Sequence, residues 1–306
     1  MKEILSGDIF DGEVRFTEPM RNHTSLKIGG PADIFTIPRD ILSLNRLHAH
    51  LARNHIPVFA LGGGTNILVR DGGIEGAVIS FRSLKKIDTL SEDSEWVNLS
   101  VAAGTLLQSL VRYAQEKGYS GMEGLAGIPG TVGGAICGNA GAFGQEIKDV
   151  LIAVEIMDTE GNVKRVHKKD MRFGYRSSGI LPRELLINAE MQLRKDSRED
   201  VASRVEAFLR IKRETQPIWE PSAGCVFKNP PGLAAGKLID EIECKGMRIG
   251  DAEVSTLHAN FFINKGKATA SDFIALMKEV ARRVREKFHV ILEPEIRIVG
   301  RDSVNE

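Results

Sequence analysis

The sequence predicts an α+β fold. Strand-like runs are short and joined by tight turns, helical periodicities are few, and no G-x-G-x-x-G fingerprint opens a βαβ unit. At 306 residues the chain is long enough for two or three domains with cores of their own.

Residues 57–61 read as a short buried strand running into Gly62-Gly63-Gly64. Residues 67–69, 77–81 and 96–102 read as further strands, set apart by turns such as Asp71-Gly72-Gly73. Over 105–117 the spacing predicts a helix: Leu106, Leu107, Leu110, Val111 and Ala114 share one face, and Gly118 stands at the C-terminal cap. Residues 150–157 and 162–166 flank Thr159-Glu160-Gly161 as a hairpin, and 184–193 form another strand. The charged connector Lys195-Asp196-Ser197-Arg198-Glu199-Asp200 opens onto a helix over 201–213, which Pro217 terminates. The strongest helix is predicted over 270–288, where Phe273, Ile274, Met277, Val280, Ala281, Val284 and Phe288 make one apolar stripe and Thr269 or Ser271 supplies the cap. A last strand over 290–299 would put Glu295 and Arg297 on the same side. Composition shifts near Arg194, and the expected divisions are 1–80, 81–196 and 197–306.

Lysine plus arginine and aspartate plus glutamate both total 41, so the formal net charge is zero. That balance argues against nucleic acid or an anionic membrane as partner, and any anionic ligand must be held by local positive charge. The first twenty residues carry acids among the apolar positions and form no apolar h-region, so no signal peptide is expected. No apolar run reaches the length of a membrane span. Three widely spaced cysteines suit a reducing cytoplasm, and neither a disulfide framework nor a zinc site. None of the seven histidines forms a metal-ligand pattern, so no metal is expected.

Two glycine clusters carry the chemistry. One is Gly62-Gly63-Gly64-Thr65-Asn66. The other runs from Gly127-Ile128-Pro129-Gly130-Thr131 through Gly133-Gly134 to Asn139-Ala140-Gly141. Glycines this dense expose backbone N–H groups that can line a nest for an anion, and a pyrophosphate is the obvious candidate. One such cluster alone is ordinarily just a tight turn. Outside the glycines, Arg176 sits among hydroxyls in Tyr175-Arg176-Ser177-Ser178, where a fixed guanidinium can grip a carboxylate. Cys225, in Gly224-Cys225-Val226-Phe227-Lys228-Asn229-Pro230, has polar neighbours compatible with a site, although a lone cysteine is normally a small buried hydrophobe. Glu295 with Arg297 reads equally as a surface ion pair, and His258 as a packed or solvated ring.

Together these segments resemble the UDP-N-acetylenolpyruvoylglucosamine reductase family over nearly the whole chain. The match runs from Asn22-His23-Thr24-Ser25 through both glycine clusters and Gly224-Cys225-Val226-Phe227-Lys228-Asn229-Pro230 to Glu293-Pro294-Glu295-Ile296-Arg297, in the family's order. The resemblance implies an FAD-binding domain of the vanillyl-alcohol-oxidase/PCMH type in two subdomains, followed by an α+β substrate-binding domain. It implies non-covalent FAD at Gly62, Gly63, Gly64, Thr65, Asn66, Gly127, Ile128, Pro129, Gly130, Thr131, Gly133, Gly134, Asn139 and Gly141. NADPH is implied as co-substrate. The substrate would be the enolpyruvyl ether of a UDP-sugar, held by Gln216, Lys228, Asn229, His258 and Arg297. The implied setting is peptidoglycan precursor synthesis in the cytoplasm, by a monomer.

By the same resemblance, hydride reaches the terminal methylene of the enolpyruvyl group, Arg176 and Glu295 stabilise the charge that develops, and Cys225 donates the proton. The chain departs from the family in two places. Serine is usual at the position of Cys225. Ser178 is followed almost at once by Ile180-Leu181-Pro182 and a strand, with no tyrosine-bearing loop, so the chain resembles the shorter class. The competing readings are a flavin-dependent oxidase of an alcohol or sugar, which would not need Arg176, Cys225 and Glu295, an electron-transfer subunit, and a bare nucleotide-binding module.

Overall fold

The structure is a computed structural model and describes residues 10–181 and 183–303. Pro182 of the Ile180-Leu181-Pro182 segment lies outside the described residues, as do the first nine residues of the N-terminal stretch read above. Six α-helices are present among the described residues: α1 Ile41–Arg53, α2 Leu107–Lys117, α3 Val132–Cys137, α4 Arg198–Thr215, α5 Ala235–Glu241 and α6 Ala270–Phe288. Local chemistry explains where they begin and end. The Asp40 carboxylate accepts the Ser43 N–H and caps α1. Thr269 and Asp272 form a reciprocal capping box on α6. Gly118 takes the left-handed conformation that closes α2. Helix α4 is two to three residues longer at each end than the predicted 201–213, and it stops just short of Pro217.

The chain divides into two compact units. The first comprises the described residues through Arg15, Ile34–Gly63 and Gly76–Ile211; the second comprises Phe16–Asp33, Gly64–Glu75 and the described residues from Lys212 onward.

The first unit carries most of a four-stranded sheet in the order Gly12–Pro19, Pro31–Pro38, Ile74–Ser80, Val58–Leu61. The last two strands are parallel. Its larger sheet is antiparallel, in the order Val163–His167, Leu151–Met157, Leu185–Lys195, Trp96–Ala102, Ile87–Glu92. The Thr159-Glu160-Gly161 hairpin is present, with Met157 paired to Val163. Alternation along Trp96–Ala102 buries Val97, Leu99 and Val101 and turns their neighbours outward. Helix α2 buries Leu107, Leu110, Val111 and Ala114 on one face, whereas Leu106, expected on that face, precedes the helix as its N-cap in extended backbone and is exposed.

The second unit has an antiparallel sheet in the order Ser222–Cys225, Phe261–Asn264, Ala252–Val254, Arg248–Ile249. Its core joins Phe227, Phe262, Phe273, Leu276, Val280 and Val284 with Leu26, Ile28 and Leu68. The predicted strand over 290–299 shrinks to Arg297–Val299, parallel to Ile67–Val69. Pro294 explains the loss, because it has no N–H to give a ladder and forms only an isolated bridge with Phe227.

Candidate functional site

Within the first unit the long glycine run is threaded by Gln108 of α2. Its Oε1 accepts the Gly127 N–H at 2.8 Å, and its Nε2 donates to the carbonyls of Leu125 at 3.2 Å and Ile128 at 2.7 Å. Downstream, the N–H of Val132 donates to Thr105 O, that of Gly133 to Ala103 O, and that of Gly134 to the Thr131 hydroxyl. These N–H groups therefore stabilise the fold, and only part of the run exposes its donors. Close packing explains two of the glycines. A Cβ on Gly62 would fall 2.5 Å from Thr131 Oγ1, and one on Gly133 would fall 2.9 Å from the Ala103 Cβ. Among the described residues, the N–H groups of Gly63, Gly130 and Thr131 donate to no protein acceptor. They are among the donors available to a ligand.

Asn139 and Gly141 follow α3. Gly141 pairs with Glu146 in a hairpin turned by Phe143 and Gly144, both at positive φ. The Phe143 ring stacks on Phe208 at 4.5 Å. Asn139 is fully buried; its Nδ2 donates to Gly174 O at 3.1 Å, and its Oδ1 has no partner among the described residues.

Gly174 opens the turn that holds Arg176. Gly174 and Ser177 exchange both backbone hydrogen bonds, at 3.0 and 3.2 Å, with Tyr175 and Arg176 between them. Arg176 sits at φ 58°, and its guanidinium lies 5.1 Å from the centre of the Tyr175 ring. The Ser178 hydroxyl ties the turn to Cys137 O. Glu146 is held below the ordinary carboxylate range by its Lys148 partner, with Asn139 and the Arg176 charge adding to the effect and burial opposing it. The expected hydroxyl-rich turn is thus present in this unit, and an anionic neighbour accompanies its arginine.

Gly64, Thr65 and Asn66 belong to the second unit. Gly64 has φ +63°, and a Cβ there would fall 2.0 Å from His23 O, so only glycine fits. Asn66 braces Glu295: its Nδ2 donates to Glu295 O at 3.4 Å, and its own carbonyl accepts the Arg297 N–H at 3.0 Å.

Cys225 ends the Ser222–Cys225 strand opposite Phe261 and is half-buried. The next residues run antiparallel to Glu293-Pro294-Glu295. Lys228 N donates to Glu293 O and Glu295 N to Val226 O, each at 2.8 Å. This register sets Glu295 opposite Val226, one residue from Cys225. Asn260, which sequence reasoning missed, fixes the same segment. Its Oδ1 accepts from Phe227 N at 3.0 Å and its Nδ2 donates to Phe227 O at 2.8 Å.

The expected substrate residues occupy different settings. Lys228 Nζ lies 3.5 Å from the exposed Glu293 carboxylate. Asn229 Oδ1 accepts the Ala235 N–H at the start of α5. The half-buried His258 stacks edge-on against Phe261, and its Nδ1 accepts the Asn260 N–H at 3.2 Å. Burial holds the His258 ring below the ordinary histidine value, so it is neutral with the proton on Nε2. Arg297 is exposed on its short strand. Gln216 N donates to Lys212 O just beyond α4. Lys212 itself is buried, which lowers its ammonium to about 8. Nothing in the local sequence marks this lysine as buried.

Among the described residues no helix is long and apolar enough to cross a membrane. Nor, among the described residues, is any group of three His, Cys, Asp or Glu side chains placed to hold a metal ion.

The family model described as "FAD binding domain" matches residues 32–167, and "UDP-N-acetylenolpyruvoylglucosamine reductase, C-terminal domain" matches 216–299. A UDP-N-acetylenolpyruvoylglucosamine reductase of Geotalea uraniireducens is 41% identical over 95% of both chains. One of Streptococcus thermophilus is 39% identical over 100% of this chain and 99% of its own. The crystal structure of UDP-N-acetylenolpyruvylglucosamine reductase from Thermus caldophilus superposes with a TM-score of 0.80 at 36% identity, covering 95% of this chain and 99% of the other. With the α+β fold, an FAD-binding domain and relatives matched end to end, this chain belongs to the UDP-N-acetylenolpyruvoylglucosamine reductase family.

Proposed function

We propose that this protein reduces UDP-N-acetylglucosamine enolpyruvate to UDP-N-acetylmuramate, using FAD and NADPH, in the synthesis of peptidoglycan precursors for the cell wall. The observation that carries this reading is the register that sets Glu295 opposite Val226, so that an acid and the Cys225 thiol flank one strand pair.

The residues of the first unit fit the cofactor. The N–H groups of Gly63, Gly130 and Thr131 are available for a pyrophosphate, and the buried Asn139 Oδ1 awaits a donor. FAD bound there without a covalent bond would supply hydride to the substrate, with NADPH as the source of that hydride. We read 1–80 and 81–196 as the two FAD-binding subdomains and 197–306 as the substrate-binding part, with the difference that Phe16–Asp33 and Gly64–Glu75 group with the latter and the residues up to Ile211 with the former.

When hydride reaches the terminal methylene, negative charge develops on the adjacent carbon and spreads into the carboxylate. The Arg176 guanidinium, and Glu295 as the protonated acid donating a hydrogen bond, stabilise that charge. One preorganised donor of this kind contributes about 3–4 kcal/mol. The Cys225 Sγ–H then gives its proton to the carbon, and the thiolate is reprotonated from solvent. A thiol is apt for this step, being a stronger acid than a hydroxyl yet still protonated at neutral pH, with an ordinary pKa of about 8.5. Lys228, Asn229, Gln216, His258 and Arg297 hold the UDP-sugar, Lys228 and Arg297 supplying charge that the protein as a whole does not. The reaction takes place in the cytoplasm, in a monomer.

NADPH consumption that depends on the enolpyruvyl substrate, with a product heavier by one H2, tests the proposal. Consumption independent of that substrate contradicts it.

A further inference from the structure

Hydrogen bonds from neighbouring side chains tie down the Arg176 turn. Tyr175 is 49% exposed, and no heavy atom lies within 4 Å of where a Cβ on Gly174 would stand. Arg176 occupies a left-handed conformation at φ 58°. Such backbone persists only where surrounding structure fixes it. Two side chains contribute to that constraint, and both join the turn to the end of α3: Asn139 Nδ2 to Gly174 O, and Ser178 Oγ to Cys137 O. Asn139 is the more rigid of the two ends. It is fully buried and itself sits at φ 40°, a conformation asparagine tolerates better than most residues.

We propose that Asn139 is a positioning residue for Arg176, its side-chain amide fixing the turn that presents the guanidinium to the substrate. The inference rests on the reading of Arg176 as the group that stabilises the developing charge. Asn139 thus serves two neighbours, the turn through Nδ2 and the cofactor through Oδ1. The shared anionic neighbour Glu146 is consistent with this, since both Asn139 and the Arg176 charge act on its carboxylate.

The test is made on the FAD-loaded protein by rapid mixing without oxygen, with the two half-reactions measured separately. Asn139→Ala is expected to slow hydride transfer to the enolpyruvyl substrate by about 10- to 100-fold more than it slows flavin reduction by NADPH, both rates taken on the flavin-loaded fraction. Because Asn139 acts through Arg176, adding Asn139→Ala to Arg176→Ala should change the rate by less than about twofold. Equal slowing of both half-reactions, or effects that multiply in the double variant, overturns the positioning role. If Asn139→Ala loses flavin, Ser178→Ala tests the same turn, and a selective slowing of the second half-reaction supports the proposal. Unimpaired transfer in Ser178→Ala, or loss of flavin there too, overturns it. Full activity of Arg176→Ala alone is a distinct outcome, which overturns the catalytic reading on which the inference rests.

Discussion

Asn260 holds Phe227 by both of its backbone polar groups, accepting its N–H at 3.0 Å and donating to its carbonyl at 2.8 Å. The side chain acts there as a further strand, inside the segment that carries Cys225 and faces Glu295. Asn260→Ala leaves a buried donor and a buried acceptor unsatisfied, and it is expected to cost about 2 kcal/mol or more. Urea unfolding measures this, and an unchanged midpoint would refute it.

Cys225 is open to a direct chemical test. Cys225→Ser should keep the rate of substrate reduction within about tenfold, whereas Cys225→Ala should lose about 100-fold or more, because only the serine retains a proton to give. Flavin reduction by NADPH should survive in both. Peroxide should inactivate the native protein and spare Cys225→Ser, since a hydroxyl does not climb the thiol oxidation ladder. Full turnover by Cys225→Ala removes the thiol from the mechanism.

Asp71 caps α6 from a distant part of the sequence. Its carboxylate accepts the N–H groups of Ala270 and Ser271 and the Ser271 hydroxyl, at 2.7–2.9 Å. Asp71→Ala should destabilise the protein by about 1–2 kcal/mol, through the lost cap and the lost charge at the helix N-terminus. A thermal midpoint equal to that of the native protein would show that the Thr269–Asp272 capping box suffices alone.

His48 and His258 make stability depend on pH. Burial holds both rings below the ordinary value of 6.5. As pH falls below that value the unfolded chain takes up protons that the native rings refuse, so stability is complete above it and drains away towards the native values. The urea midpoint should therefore fall between about pH 7.5 and pH 5.5, and fall less in His258→Gln. A native midpoint that stays flat across this range contradicts the assignment.

Much of the fold is legible locally. The apolar stripe of α6, the Thr269 cap and Gly118 after α2 each depend on neighbours in sequence, and each stands where the pattern puts it. Legibility fails where the partner is remote. The N–H groups of Gly127, Val132 and Gly133 are taken by Gln108, Thr105 and Ala103, acceptors that no motif announces. Nothing local announces the backbone carbonyls, of Glu295 and Gly174 respectively, to which the side-chain amides of Asn66 and Asn139 donate. Asn260 and the buried Lys212 carry no local signal at all. The last strand was legible in hydrophobicity, and Pro294 cut it to three residues.

The most direct measurement is flavin absorbance of the purified protein in the absence of oxygen. NADPH should bleach the band near 450 nm, and UDP-N-acetylglucosamine enolpyruvate should then restore it rapidly, with one product formed per flavin. Bleaching with no return on addition of that substrate would contradict the central claim, and a protein that binds no flavin after reconstitution would contradict the reading of both glycine clusters.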